Sequence, residues 1–169
     1  MPAEPRPERP LSGLTGTVVV ASNRAAAGVY EDATGPLLTA FLADLGLDVG
    51  EPVVVPDGEP VADAIVAAVE RGDRVVLTTG GTGLTPTDLT PEVTRPLLQR
   101  EVPGIAEAIR TAGVAKGVPT AMLSRGLAGL AGSCLVVNLP GSRGGVKDAI
   151  EVLRPVLPHA VEQSVGSDH

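Results

Sequence analysis

The segment at residues 78–83, Thr-Thr-Gly-Gly-Thr-Gly, joins glycines to hydroxyl side chains directly after a short apolar run. Glycine permits the positive φ angles and the close approach that bring several backbone amides to one anion. A phosphate-binding loop is therefore predicted here, and a tight structural turn is the alternative. It is neither a Walker A loop nor a dinucleotide fingerprint, because no Gly-Lys-Ser/Thr follows and the third glycine is missing. The five candidate residues are Thr79, Gly80, Gly81, Thr82 and Gly83.

Two aspartates lie near this loop in the predicted arrangement, Asp57 in VVVPDGEP and Asp88 in TPTDLTPE. An Asx turn or a helix cap is the alternative role for each. Glu59 and Thr90 directly precede the prolines that open the next helices, so we expect them to cap those helices and to leave both aspartates available. Since Mg²⁺ prefers one or two carboxylates together with phosphate oxygens and water, the pair indicates a Mg²⁺–phosphate site.

The rest of the composition limits what other chemistry is available. The chain has 169 residues with eleven Arg, two Lys and one Cys, and its His residues are at positions 159 and 169. One Cys cannot form an intrachain disulfide, and there is no Cys/His cluster for zinc, which fits a cytoplasmic location. A catalytic centre before position 159 has no imidazole. It must use carboxylates, arginines, hydroxyls and backbone amides.

Charge and aromatic content argue against two classes of partner. The net charge is −7, and aromatic residues make up 1% of the chain. A protein that binds nucleic acid normally carries excess positive charge or aromatic side chains that stack on bases, so we expect no nucleic-acid partner. The longest apolar runs are shorter than a bilayer span, so we expect no membrane segment.

Tyr30 lies in a loop, where it could cover a ligand ring or simply pack.

The order of apolar segments predicts the fold. Short apolar runs at 18–20, 53–55, 75–77 and 135–137 alternate with helical patterns that are punctuated by proline. Wholly apolar runs are typical of parallel strands that are buried on both faces, so we predict a single α/β domain with a doubly wound, mostly parallel sheet. Ligands bind beyond the carboxyl ends of such strands. The loops expected there are 22–24, 56–58, 78–90 and 138–145.

The two ends of the chain have a different composition. Residues 1–13 hold four prolines and alternating charges, which predicts a disordered tail with no apolar stretch of a signal peptide. Residues 164–169 are expected to be frayed. The folded domain is therefore predicted to span residues 14–163.

Taken together, the motifs resemble the MogA/MoaB family of molybdenum cofactor biosynthesis proteins. The similarity runs in the family's order over about residues 16–160. Its segments are Ser22–Arg24 with GVYED (28–32), VPDG (55–58), TTGGTGLTPTDLTPE (78–92), VPGIAEAIR (102–110), LSRG (123–126) and NLPGS (138–142).

The resemblance implies a three-layer α/β/α domain, commonly a trimer, and an activity. That activity is the Mg²⁺-dependent transfer of AMP from ATP to the terminal phosphate of molybdopterin, with release of pyrophosphate. Molybdate is later inserted into the adenylylated pterin, which implies hand-over to a molybdenum-insertion protein. Two alternatives are a non-catalytic molybdopterin carrier and a nucleotide pyrophosphate hydrolase.

The resemblance also assigns residues. Asp57 and Asp88 match the family's catalytic aspartates, and Thr79–Gly83 matches its phosphate loop. The substrate loops match at Ser124, Arg125, Asn138, Pro140, Gly141 and Ser142. Arg125, with Arg143 and Arg24 as further candidates, is expected to neutralise phosphate charge.

This chain departs from the family pattern at two positions. Asn23 stands where many members have Asp, and Arg143 stands where many have Pro.

Overall fold

Seven strands and seven α-helices form within residues 9–166, the part of the chain that the computed structural model describes. The strands are β1 (Thr15–Ala21), β2 (Asp48–Val49), β3 (Val53–Val55), β4 (Val75–Thr79), β5 (Arg100–Glu101), β6 (Ala128–Ala131) and β7 (Cys134–Leu139). The helices are α1 (Asn23–Ala26), α2 (Gly35–Asp44), α3 (Glu59–Glu70), α4 (Thr90–Thr94), α5 (Pro103–Ala115), α6 (Arg143–Leu153) and α7 (Leu157–Ser164). Two 3₁₀ turns cover Arg95–Leu97 and Pro119–Leu123.

The strands form one mixed sheet that is parallel in its centre. The order is β2-β1-β4-β7-β6-β5, and β3 pairs with the far end of β1. The pairs β1–β3, β1–β4 and β4–β7 are parallel, whereas β5 and β6 run antiparallel at one edge. The four predicted strands and the mostly parallel sheet are therefore confirmed.

Alternate residues of the central strands point to opposite faces of the sheet, and each face is covered by helices. Val18, Leu77 and Val137 belong to the core that contains side chains of α2, α5, α6 and α7. Val19 and Val136 belong to the second core, with α3 and residues around α4. This is the three-layer α/β/α arrangement that the resemblance implies. Leu and Val fill these cores because a single Phe and no Trp are available.

Prolines set several helix limits. Val146, Ile150, Leu153 and Leu157 fall at helical spacing in the sequence, but they are divided between α6 and α7 because Pro155 cannot continue the backbone hydrogen bonds of a helix. The apolar, proline-containing segment that follows the glycine loop does not form one helix, since β5 lies between α4 and α5. A two-residue strand has no periodicity to detect, so the sequence pattern missed it.

The boundary of the predicted N-terminal tail needs correction. Leu11 is 1% exposed, and its amide donates to the Leu45 carbonyl at 2.8 Å. Arg9 Nη1 donates to the Ala43 carbonyl at 2.8 Å. Residues 9–13 thus cover the end of α2 despite their polar, proline-rich context, and residues 1–8 lie outside the described part.

At the other end, Ser164 still belongs to α7, whereas 167–169 lie outside the described residues. Between residues 9 and 166, no helix combines the length and the apolar character needed to cross a membrane.

Candidate active site

The register of the sheet brings four strand ends to one edge. Ala21 of β1 pairs with Val55 of β3, and the neighbouring residue Val20 pairs with Thr79 of β4. Thr79 in turn pairs with Leu139 of β7. The chain therefore leaves the sheet at one level and passes into the four loops predicted from the sequence. The candidate site is built where these loops meet.

The glycine loop, residues 79–83, turns sharply against β1 and β3. Gly80 and Gly81 have φ angles of 93° and 66°, in the left-handed region that disfavours other residues. A Cβ atom on Gly81 would lie 2.7 Å from Asp57 Oδ1. Within residues 9–166, the amides of Gly81, Thr82 and Gly83 donate to no protein acceptor. Such amides are available to an anion.

Asp57 directly follows β3, and its carboxylate is poorly satisfied. Oδ1 is buried and has no hydrogen-bond partner among the described residues. Burial raises the pKa of this carboxyl above its ordinary value of 3.8, and the nearby negative charge of Asp88 raises it further. Backbone amides of Asn23 and of Asp57 itself oppose these effects on the pKa. A buried, unpaired carboxylate oxygen is unfavourable unless a ligand or cation satisfies it.

Asp88 lies on the other side of the glycine loop. Its Oδ2 accepts a hydrogen bond from the Thr85 amide at 3.1 Å, and its own amide donates to the Thr85 carbonyl at 3.0 Å. A Cβ atom on Gly83 would lie 2.8 Å from the same Oδ2. The local turn that was the alternative role for Asp88 is thus present, and the carboxylate still faces the site.

Two cavities meet at this point. The first, of about 400 Å³, lies at the ends of β1, β3 and β4 and is lined by Asn23, Tyr30 and Asp57 among others. The second, of about 710 Å³, lies between the glycine loop, α5 and α6. Gly81, Asp88 and Gly141 line both cavities. The glycine loop and Asp88 therefore form the boundary between two adjoining ligand-sized spaces.

The cavities differ in their cationic side chains. Arg24 and Arg143 line the first cavity. Arg110, Lys116 and Lys147 line the second cavity, so both lysines of the chain are there. The excess of acidic residues over the whole chain is thus locally offset around the candidate site.

The predicted substrate residues have different positions in the site. Ser124 lines the second cavity, and its hydroxyl lies 3.3 Å from Thr82 Oγ1. Pro140 and Ser142 line the same cavity. Arg125 is absent from the described lining of both cavities. The structure therefore brings most of the predicted residues to the cavities but leaves Arg125 behind the loop.

Asn138 is beneath the site rather than in it. It is 3% exposed, and its Oδ1 accepts from the Leu127 amide at 3.1 Å. Its Nδ2 donates to Thr78 Oγ1 at 2.9 Å and to Thr94 Oγ1 at 3.2 Å. Because both ends of the amide are satisfied by the protein, Asn138 supports the loops instead of facing a ligand.

The predicted helix caps are wrong. The N-cap positions of α3 and α4 are Gly58 and Leu89, and neither helix has a side-chain cap. Thr90 Oγ1 donates instead to the Gly80 carbonyl at 2.9 Å, which closes the glycine loop against α4. Both aspartates are nevertheless free of a capping role, as predicted.

Two contributors to the site were not selected from the sequence. Asp32 lines the first cavity and accepts hydrogen bonds from the Thr34 and Gly35 amides at the start of α2. Its place two residues before a Thr-Gly-Pro helix start is a capping signal that could have identified it. Asn23 Oδ1 accepts from the Asp57 amide at 2.9 Å. That contact joins residues 34 positions apart, and no local signal indicates it.

A glycine loop with free backbone amides, two carboxylates and two adjoining cavities at one sheet edge are the features of this α/β domain that a comparison with known proteins has to explain. The family model described as "Probable molybdopterin binding domain" matches residues 17–159. The chain belongs to this family and, within it, to the MogA/MoaB proteins of molybdenum cofactor biosynthesis.

Individual relatives agree with this assignment. The chain is 41% identical to the molybdenum cofactor biosynthesis bifunctional protein of Synechococcus elongatus over 165 residues, covering 96% of this chain and 51% of that protein. It is 34% identical over 154 residues to the molybdopterin adenylyltransferase of Helicobacter pylori strain J99, covering 89% and 87% of the two chains. The chain thus spans about half the length of the Synechococcus relative.

A solved structure shares the fold. The molybdopterin biosynthesis Mog protein from Mycobacterium ulcerans superposes with a TM-score of 0.85 at 48% identity, covering 89% of this chain and 99% of that one. The chain therefore shares its overall fold with that protein.

Proposed function

We propose that the protein catalyses transfer of AMP from ATP to the terminal phosphate of molybdopterin, releasing pyrophosphate. One observation carries the proposal: two adjoining cavities share a wall made of Gly81, Asp88 and Gly141. A transfer between two substrates needs their reacting phosphates to meet, and a shared wall of amides and a carboxylate provides that place. The relative named molybdopterin adenylyltransferase in Helicobacter pylori supports this reaction.

The donor groups at the shared wall fit Mg²⁺. Asp57 Oδ1 is buried without a partner, and Asp88 is close enough to raise the pKa of Asp57. Among the residues described, no group of three or more His, Cys, Asp or Glu could hold a metal, so phosphate oxygens and water would complete the coordination. When bound by Asp57 and Asp88, Mg²⁺ would neutralise charge on the ATP phosphates.

The remaining chemistry uses the chain's own groups. An oxygen of the pterin phosphate forms a bond to the α-phosphorus of ATP, and the bond from that phosphorus to the oxygen bridging to the β-phosphorus breaks. The attacking oxygen is already an anion at neutral pH, so no imidazole or other general base is needed. The free amides of Gly81, Thr82 and Gly83 hold phosphate oxygens in place. Arg143 and Arg24 in the first cavity balance negative charge.

The assembly and location belong to the same proposal. We expect a homotrimer in the cytoplasm that hands adenylylated pterin to a separate molybdenum-insertion protein. The longer Synechococcus relative is named a molybdenum cofactor biosynthesis bifunctional protein, which supports a link to a second activity of the same biosynthesis. Sedimentation equilibrium of the purified chain tests the trimer.

One incubation tests the reaction itself. Purified protein is mixed with molybdopterin and Mg-ATP labelled on the α-phosphate, and adenylylated pterin and pyrophosphate are measured. We expect both products in equal amounts. Asp88→Asn should still bind pterin but lose transfer by on the order of 10²-fold, because a charged group at the reacting phosphates is removed. The control is Asp63→Asn, which changes an exposed aspartate on α3.

The same incubation separates the alternatives. Tight pterin binding without either product would indicate a carrier. Hydrolysis of ATP or its derivatives without pterin would indicate a nucleotide pyrophosphate hydrolase. Full transfer by Asp88→Asn would contradict the role of that carboxylate.

A further inference from the structure

We infer that Arg125 is a positioning residue that fixes Asp88 and the end of the glycine loop, and that it does not bind a substrate phosphate. The inference rests on the proposed AMP transfer for its kinetic effect. The claim that Arg125 orders the loop at 83–90 does not depend on that reaction, because it is argued from the contacts of Arg125 alone. Arginine in a phosphate-handling site is ordinarily assigned to the anion, so the contacts have to decide between the two roles.

The guanidinium of Arg125 contacts three separate residues between positions 83 and 92. Nε donates to the Gly83 carbonyl at 2.9 Å, and Nη2 donates to the Asp88 carbonyl at 2.8 Å. Nη1 donates to both carboxylate oxygens of Glu92, at 2.6 and 2.8 Å. These contacts fix the beginning and the end of the turn that carries Asp88, and they fix the first turn of α4 as well.

The backbone of the same segment adds to this connection. The Arg125 amide donates to the Thr82 carbonyl at 2.8 Å. On the opposite side, Arg110 Nη1 donates to the carbonyls of Ser124 and Gly126 at 3.3 and 3.1 Å, which fixes the backbone on either side of Arg125. The backbone that carries the Arg125 side chain is therefore held in place, and the side chain in turn holds the backbone of Asp88.

The Arg125 side chain is 37% exposed, but its hydrogen bonds commit the guanidinium to the protein. All three of its nitrogens donate within the protein, and its positive charge is paired with Glu92. It also lies outside the described lining of both cavities. Lysine cannot replace it in this role, because an ammonium is a single point charge and cannot reach three divergent acceptors.

Two substitutions distinguish positioning from phosphate binding. Arg125→Lys keeps the charge but loses the planar guanidinium and its divergent donors. We therefore expect kcat to fall between about tenfold and a hundredfold, with little change in KM. Glu92→Gln breaks the ion pair, and we expect kcat to fall by up to about fivefold. If Arg125 binds phosphate, Glu92→Gln would instead release its charge and lower KM, and this result would overturn the inference.

Amide hydrogen exchange gives a readout that does not depend on activity. In both variants, residues 83–90 should exchange faster than in the wild type, while β4 and β7 remain unchanged. Matched controls are Arg95→Lys, which alters the exposed Arg95–Glu101 ion pair of 2.7 Å, and Glu101→Gln, which breaks it; neither residue lines the two cavities of the candidate site. The controls should change neither exchange at 83–90 nor kcat.

The two proposals can fail separately. A wild-type chain without AMP transfer contradicts the proposed function, and exchange at 83–90 still tests Arg125. Unchanged exchange in Arg125→Lys contradicts the positioning role, whatever the activity.

Discussion

Asn23 and Asp57 connect the ends of two neighbouring strands at the candidate site: Asn23 Oδ1 accepts the Asp57 amide hydrogen at 2.9 Å. Asn23 follows β1 and Asp57 follows β3, so the contact fixes the loop that carries the unpaired carboxylate. Asn supplies this acceptor without a negative charge. The absence of a third carboxylate at this position is therefore compatible with an intact loop.

We predict that Asn23→Asp strengthens Mg²⁺ binding at the candidate site and so lowers the Mg²⁺ concentration that AMP transfer requires. The carboxylate can accept the same amide hydrogen while adding a negative charge near Asp57. Half-saturation of AMP transfer should then need about two- to fivefold less Mg²⁺ at low ionic strength, and the gain should shrink as salt is added. The measurement is a Mg²⁺ titration of the transfer rate at two salt concentrations.

Asn23→Ala serves as the comparison, because it removes the acceptor without adding charge. It should lower the rate without reducing the Mg²⁺ needed. A higher Mg²⁺ requirement in Asn23→Asp would contradict the charge argument.

Gly81→Ala should abolish most transfer because of what the methyl group meets. Its Cβ would clash with Thr90 Oγ1 and would lie 2.7 Å from Asp57 Oδ1, at a φ of 66°. Gly117→Ala is a matched control, with a φ of 90° and nothing within 4 Å of the added Cβ. Backbone strain should destabilise the fold by about 1–2 kcal/mol in each variant, and the close contact with Thr90 should add to this loss in Gly81→Ala.

Only Gly81→Ala should lower transfer, by about tenfold or more, since it displaces the carboxylate as well. Urea unfolding and the transfer assay together measure the two effects. Equal activity in the two variants would show that contact with Asp57 is unimportant.

Cys134 should not react in the folded protein. It is 2% exposed, and burial, with a smaller contribution from the charge of Asp73, raises the pKa of its thiol to about 12. At pH 8 such a thiol is ionised in about one molecule in ten thousand, and the thiolate is the reactive form. Iodoacetamide should therefore label Cys134 only after unfolding, as mass spectrometry can measure.

Ser133→Cys provides the positive control, because residue 133 is exposed next to the buried one. The added thiol should be labelled under native conditions. Labelling of native wild-type protein would mean that β7 opens readily or that the thiol is accessible.

The framework of the site could be predicted because its signals are local. Each central strand is a run of Val and Leu, and a change to Gly, Thr, Asp or Pro marks the strand end where ligands bind. The glycine loop and both aspartates were therefore found at the correct sheet edge. Their positions follow from parallel pairing alone.

The supporting contacts could not be predicted, because they join residues that are distant in sequence. Arg125 and Glu92 are 33 positions apart, and each alone resembles a solvated surface charge. Asn138 satisfies groups from β4, from α4 and from the residue before β6, a combination that only the folded structure can specify. Two-residue strands such as β5 are likewise defined by their partners, since they have no pattern of their own.

Asp57→Asn should raise the stability of the metal-free protein while it lowers the rate of AMP transfer. The folded-state pKa of Asp57 is raised, so folding disfavours the charged form of this carboxyl. The destabilising contribution is fully present above the raised pKa and is lost as the pH falls toward the ordinary value of 3.8. In the metal-free protein, Asp57→Asn should therefore have a higher Tm than the wild type at pH 7, and the difference should shrink toward pH 4.

Activity should change in the opposite direction, with a loss of on the order of 10²-fold in transfer, because a carboxylate proposed to hold Mg²⁺ is gone. Adding Mg²⁺ should raise the Tm of the wild type but not that of Asp57→Asn, since a ligand stabilises only the folded state that binds it. Asp63→Asn, at an exposed position of α3, should match the wild type in all three measurements. A lower Tm for Asp57→Asn at pH 7, or an equal response to Mg²⁺, would contradict the view that the fold tolerates an unfavourable carboxylate here in order to bind the cation.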